Sequence, residues 1–168
     1  MSNLAEVLEL KYGAVANCNL ETGSLMAWFH PTIPEPDAAQ IAIDTAEYEL
    51  QKAKATRIAV MQAAHDAAKC ANISFTTAGA VTTDFQANAT AIKAIKDSIA
   101  GFGDTGVVPV GFYFVAADNT HVTFTYADLK GLGRAIADRA WTAFDNLQTK
   151  KIAINAAADV AAVNAINW

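Results

Sequence analysis

Between positions 37 and 70 the chain reads "DAAQIAIDTAEYELQKAKATRIAVMQAAHDAAKC", with neither proline nor glycine. Proline removes a backbone donor and clashes with the preceding turn, and glycine costs about 1 kcal/mol in a helix interior. Their joint absence removes the ordinary stop signals, so the run predicts one long helix. A helix of that length must cover an apolar side. Ile43, Ala46, Leu50, Ala53, Arg57, Val60, Ala64 and Ala67 recur at alternating steps of three and four, a heptad-like seam. Two readings of the seam stand side by side: a helix folding back on its own domain, and a coiled coil between copies with Arg57 as its polar break. Under the second, Ile43, Leu50, Arg57 and Val60 are the candidate interface residues.

Helix starts are marked elsewhere by capping-box spacing, in which a short polar side chain caps the amide three residues on and is capped in return. Asn3 with Glu6, Asp37 with Gln40, Thr83 with Gln86 and Thr125 with Asp128 all fit it. They predict a short helix over 3–12 ending near Gly13, a helix over 84–100 and one of roughly 30 residues from Thr125. On the last, Leu129, Leu132, Ile136, Ala140, Ala143 and Leu147 form the apolar side. Gly131 and Gly133 in its first turns imply a close approach, expected from the backbone of the preceding hairpin. "DVAAVNAINW" gives a last short helix ending on Trp168.

Strand signals come in pairs. "AVANCNL" and "SLMAWF" flank Glu21-Thr22-Gly23, "ISFTTAGAVTT" turns at Gly79, and "VGFYFVA" and "HVTF" flank Ala117-Asp118-Asn119-Thr120. "HPTIPEP" is a stiff extended linker, and "GFGDTGVVPVG" is a loop. The fold class expected is α+β, mostly helical. A small helix-plus-hairpin module with its Pro-rich linker occupies 1–36 and the long helix 37–72. A C-terminal α+β domain of two β-hairpins packed with helices takes 73–168.

The same residues speak against several kinds of chemistry. The net charge is −5 and the twelve basic residues are scattered, which argues against a nucleic-acid surface. No apolar run approaches the roughly 20 residues that span a bilayer, and "MSNLAEVLELKYG" lacks a signal peptide's basic and apolar regions. Cys18 and Cys70 make no disulfide framework, so reduced thiols are expected. His30, His65 and His121 are far apart, and His65 and Cys70 point to different helix faces, so no metal site is expected. "GFGDTG" lacks the ending of a phosphate loop, Asp118 with His121 is turn chemistry rather than half a triad, and the three tryptophans read as packing anchors. No catalytic residue and no cofactor are expected, and the chain is not expected to be an enzyme.

One feature set points to a place rather than a reaction. Gly79 with Thr83 and Asp84, the aromatic strand followed by "ADNTHVTFT", the "LGRAI" helix and the ending "AAADVAAVNAINW" resemble a domain-of-unknown-function family. That family occurs in tailed phages and prophages near their tail-fibre genes, and the resemblance covers residues 73–168. Tyr113 stands where a tryptophan is frequent in it. Residues 1–36 are similar, more weakly, to the opening module of small phage tail proteins. The resemblance implies a structural component of a bacteriophage tail, at the fibre or baseplate, made in the host cytoplasm and carried in the virion. Its partners would be other tail-fibre or baseplate proteins and further copies of itself, three being favoured because threefold symmetry is usual in such fibres. Charged residues make up only 17% of the chain, against about 25% in typical domains, which fits faces covered by other subunits and equally a monomer from an alanine-rich proteome. The alternatives are a tail-fibre assembly chaperone and, further off, an enzyme that degrades the host envelope.

Overall fold

The long proline-free run is helical throughout. In the computed structural model, which describes residues 4–13, 16–19 and 24–168, it forms α2, Ala38–Cys70. Asp37 caps it, its Oδ1 accepting from the Gln40 amide at 2.8 Å. The reciprocal half of the box is not made, because the Gln40 side chain reaches forward to Asp44 at 2.9 Å. The described residues contain five helices and three two-stranded antiparallel hairpins, an α+β fold that is mostly helical. They fall into two units: residues up to Ala59 with Ile152–Asn167, and Val60–Lys151 with Trp168.

In the first unit, α1 (Leu4–Tyr12) buries Leu4, Val7 and Leu8, one apolar stripe at helical spacing. It stops at Gly13, whose φ of +83° suits a residue without a Cβ and whose amide returns to Glu9 O. Strands β1 (Ala16–Asn19) and β2 (Ser24–Trp28) pair antiparallel, with a register shift between Asn17 and Cys18. The cap Asn3 and the turn Glu21-Thr22-Gly23 lie outside the described residues. Buried Asp44 joins α1 to α2. It accepts from Tyr12 Oη at 2.6 Å and from Gln40 Nε2, with Lys11 Nζ at 3.3 Å. Burial pushes its carboxyl up, but the Tyr12, Gln40 and Lys11 donors outweigh burial and hold it below the ordinary aspartate value.

The second unit holds the main core. Hairpins β3 (Ile73–Thr76) with β4 (Thr82–Phe85), and β5 (Tyr113–Val115) with β6 (His121–Thr123), are linked where Ala117 N donates to Asp84 O at 2.7 Å. Phe85 and Phe124 meet edge-to-face at 5.2 Å, and Ile95, Leu129, Leu132 and Ile136 close over them from α3 (Ala89–Gly101) and α4 (Tyr126–Ala156). Each of those side chains, fully buried, contributes about 1.5–3 kcal/mol. The Thr125 box is made in both directions. Thr125 N donates to Asp128 Oδ2 at 2.8 Å, and Asp128 N donates back to Thr125 Oγ1 at 3.2 Å. The free oxygen, Oδ1, accepts from Ala78 N in the β3–β4 turn at 2.7 Å. The short helix α5 (Val160–Ala165), in the first unit, is capped by Asp159, whose side chain accepts from Ala162 N, and it stops at Ala165 rather than at the expected Trp168.

Two further expectations need correction. Thr83 and Gln86 do not open a helix: Thr83 lies within β4, and α3 starts later, with Asn88 Oδ1 accepting from Ala91 N. The strand continues because the Phe85 ring is taken into the core, 1% exposed. Gly79 does lie in the β3–β4 turn, whose left-handed residue is Ala80, φ +60°. The helical glycines do mark close approaches, but not to the β5–β6 backbone. A Cβ on Gly131 would stand 2.9 Å from Phe75 Cζ, and one on Gly133 would stand 3.0 Å from Ile99 Cδ1.

The two glycines are therefore expected to respond in opposite ways. The Phe75 ring is packed against Phe85 and Phe124 and cannot yield, so Gly131→Ala should lower the melting temperature of the full chain. Ile99 Cδ1 is the end of a flexible side chain, so Gly133→Ala should gain up to about 1 kcal/mol of helix propensity. Equal shifts of both variants in thermal melts would contradict this packing.

Asp128 supplies a second prediction. Burial raises its carboxyl pKa, but the Thr125 hydroxyl and the Thr125 and Ala78 amides outweigh burial and hold it low. A depressed folded value stabilises above the unfolded one, about 3.9, and that contribution is lost as pH falls through the folded value. Asp128→Asn should cost about 2 kcal/mol at neutral pH, since its amide cannot accept from every one of these donors. Urea melts from neutral to acid pH should show the gap to wild type closing below about pH 4. A constant gap would show that the charge is not what matters.

Candidate functional site

The polar groups that carry chemistry elsewhere are here engaged in holding the chain together. Asp118 binds the amide and hydroxyl of Thr120 within its own turn, at 3.0 and 2.7 Å, and these bonds lower its pKa. His121, the partner weighed for it, instead stacks on Tyr113 with ring centroids 4.0 Å apart. His30 Nδ1 accepts from the Thr32 and Ile33 amides. His65 lies between Gln62 and Asp66 with its ring edge-on to Trp168. Cys18 is half-buried, with its thiol pKa pushed up by burial, and Cys70 is exposed. Among the described residues no group of three or more His, Cys, Asp or Glu stands together as metal ligands, and no helix is long and apolar enough to cross a membrane.

Arginines serve as helix C-caps. Arg139 donates to Asn72 O at 3.1 Å and Lys69 O at 3.0 Å, beyond and within the last turn of α2. Burial lowers its pKa, and its Nε is buried without a partner. Arg57 donates to Ile166 O at 2.5 Å, Asn164 O at 3.2 Å and Asn167 Oδ1 at 2.7 Å, at the end of α5. These bonds satisfy carbonyls that the short helix leaves open.

The described residues also leave large apolar side chains in solvent. Of the four candidate interface residues, Ile43 and Val60 are exposed, at 53% and 46%, and Leu50 is half-buried. Arg57 is half-buried and bonded within the chain, so the seam is interrupted there. On α4, Trp141 and Phe144 form an exposed aromatic pair, 5.8 Å between centroids, with Trp141 66% exposed. Trp141 is thus not the packing anchor expected of it. The signal was present in the sequence, since the stripe through residues 136, 140, 143 and 147 leaves 141 and 144 off the buried side. Trp28 does anchor, donating from Nε1 to Ile33 O at 2.7 Å and meeting Tyr12 edge-to-face.

No curated protein and no solved structure matches the chain. A family described as a domain of unknown function, DUF4376, matches residues 52–167. The match takes in the second half of α2, both hairpins of the main core, α3, α4 and α5, so it holds the core, the Asp128 bracket and Arg57 with its C-terminal partners. That is more than half of the sequence, and the chain belongs to the DUF4376 family.

Proposed function

We propose that the protein is a structural, non-enzymatic component of a bacteriophage tail, at the fibre or baseplate, acting through subunit contacts as a homo-oligomer of three copies. The observation that carries this reading is the pairing of internally engaged polar groups with exposed large apolar side chains. Ile43, Val60, Trp141 and Phe144 remain open to solvent while Asp44, Asp128, Arg57 and Arg139 are all bonded to other parts of the chain. Aromatic side chains in that position are the kind that dominate protein interfaces. The tail assignment rests on the sequence resemblance of residues 73–168. The fibre or baseplate proteins of the same particle are the proposed partners.

Quantitative mass spectrometry of purified virions tests the assignment. A structural subunit is expected at fixed stoichiometry with the fibre or baseplate proteins. Its absence from virions of a phage that needs the gene would transfer the assignment to an assembly chaperone. A second expectation concerns chemistry. Alanine at His30, His65, His121, Cys18 or Cys70, one at a time, should leave plaque formation intact. Loss of plaques in any variant that keeps the wild-type melting temperature would overturn the non-enzymatic reading.

A further inference from the structure

Helices α3 and α4 leave a groove of about 400 Å³ between them, floored by Ile92, Ile95, Ile99 and Ile136. Gly133 lies in it without a side chain, where a Cβ would stand 3.0 Å from Ile99 Cδ1. The rims are cationic on both sides: Lys96 on α3, Lys130 and Arg134 on α4, and no carboxylate lines the groove. Lys130 lies over the Tyr126 ring, and Arg134 spends its Nε on Asp138 one turn away. An apolar floor between two positive rims fits a helix with an apolar stripe flanked by carboxylates on both sides.

The chain itself carries such a helix face. The unit up to Ala59 with Ile152–Asn167 has nine Asp and Glu against four Lys and Arg, which accounts for the whole net charge of −5, whereas the other unit has eight of each. On α2, Ala39, Ile43, Ala46 and Leu50 lie on one stripe at i, i+4, i+7 and i+11. Ala39, Ile43 and Ala46 are exposed. At 100° per residue, Glu47 and Glu49 fall about 70–90° to either side of that stripe; Glu47 also accepts from Lys11 Nζ of α1 at 2.6 Å but keeps its side chain 59% exposed, and Asp44, which faces α1, falls well away from the stripe. Small alanines let helix axes approach closely, and the flanking carboxylates match the two rims.

We propose that the first half of α2 in one copy, presenting Ile43 between Glu47 and Glu49, docks in the α3–α4 groove of the next copy. The inference rests on the reading of the chain as a self-associating structural subunit and names the contact. The two surfaces differ, so the contact is head-to-tail, and the three-copy reading requires it to close as a ring. The seam is then used only up to Leu50, where it is free, and not at Arg57, where residues 164–167 of the same chain cover it.

Sedimentation velocity and light scattering on the full chain, at about 1 to 100 µM and at low and high salt, test the contact. Wild type should associate, and less so in high salt. Lys130→Glu with Arg134→Glu should weaken association about 100-fold or more, as should Glu47→Lys with Glu49→Lys. Mixed one to one, the two reversed proteins should associate again. Should the reversed groove melt early, Lys96→Glu alone on the opposite rim gives the same result at smaller amplitude. A wild type that stays monomeric throughout, or groove variants that associate as wild type does, would overturn the contact. So would dissociation by Val60→Asp alone, which would move it to a coiled coil along the seam. None of these results bears on the virion stoichiometry, which decides the structural-subunit reading separately.

Discussion

The carboxylate of Asp128 is where three parts of the main core are held in register. One oxygen accepts from the Thr125 amide and hydroxyl and the other from the Ala78 amide, fifty positions earlier in the chain. Desolvating a carboxylate is expensive, and here three donors and the positive end of a long helix offset it. The first turn of α4, its cap Thr125 two residues past β6, and the turn of the β3–β4 hairpin are thereby fixed to one another. Leu129 and Leu132, which follow directly, then face Phe85 and Phe124. The Ala117 to Asp84 hydrogen bond ties the two hairpins at a second point.

The same pairing explains what the sequence disclosed and what it did not. Thr125 with Asp128 and Thr83 with Gln86 share one spacing, and only the first is a cap. Spacing registers the local alternative alone. Whether a strand or a helix follows Thr83 is decided by the place the Phe85 ring finds among residues far along the chain. Glycine behaved similarly. Gly131 and Gly133 announce a close approach because a helix does not otherwise tolerate two glycines there cheaply. Nothing local to them says that the neighbours are Phe75 and Ile99. The α2 bounds and the Asn119 turn were legible because each depends on chemistry within a few residues.

The candidate interface was legible in part, for the same reason. The seam of α2 is a periodicity and could be read directly, and its exposed members include Ile43 and Val60. Arg57 looked like a polar break between copies because the carbonyls it binds lie more than a hundred residues away. A half-buried arginine beside a helix C-terminus has a sufficient intramolecular role, and that role removes it from the surface. Trp141 and Phe144 are the converse case. Their position off the apolar stripe follows from arithmetic on the sequence, while a tryptophan's usual burial pointed the other way.

Alanine in the free part of the seam sets the character of the proposed contact. Each alanine buries little area, so the stripe through Ala39, Ile43 and Ala46 has one substantial anchor and gives a modest apolar gain. Two ideas follow from that modesty. Orientation has to come from the flanking charges, since an almost featureless ridge fits a groove in several registers, and two carboxylates against two basic rims select among them. Affinity, in turn, is raised by anything that holds copies close, because a tethered partner presents itself at an effective concentration far above that in solution. A subunit built this way associates weakly while free and firmly once several copies are gathered on a common scaffold. That is the behaviour an ordered assembly needs, because a strong contact between free subunits would join them before the scaffold was in place.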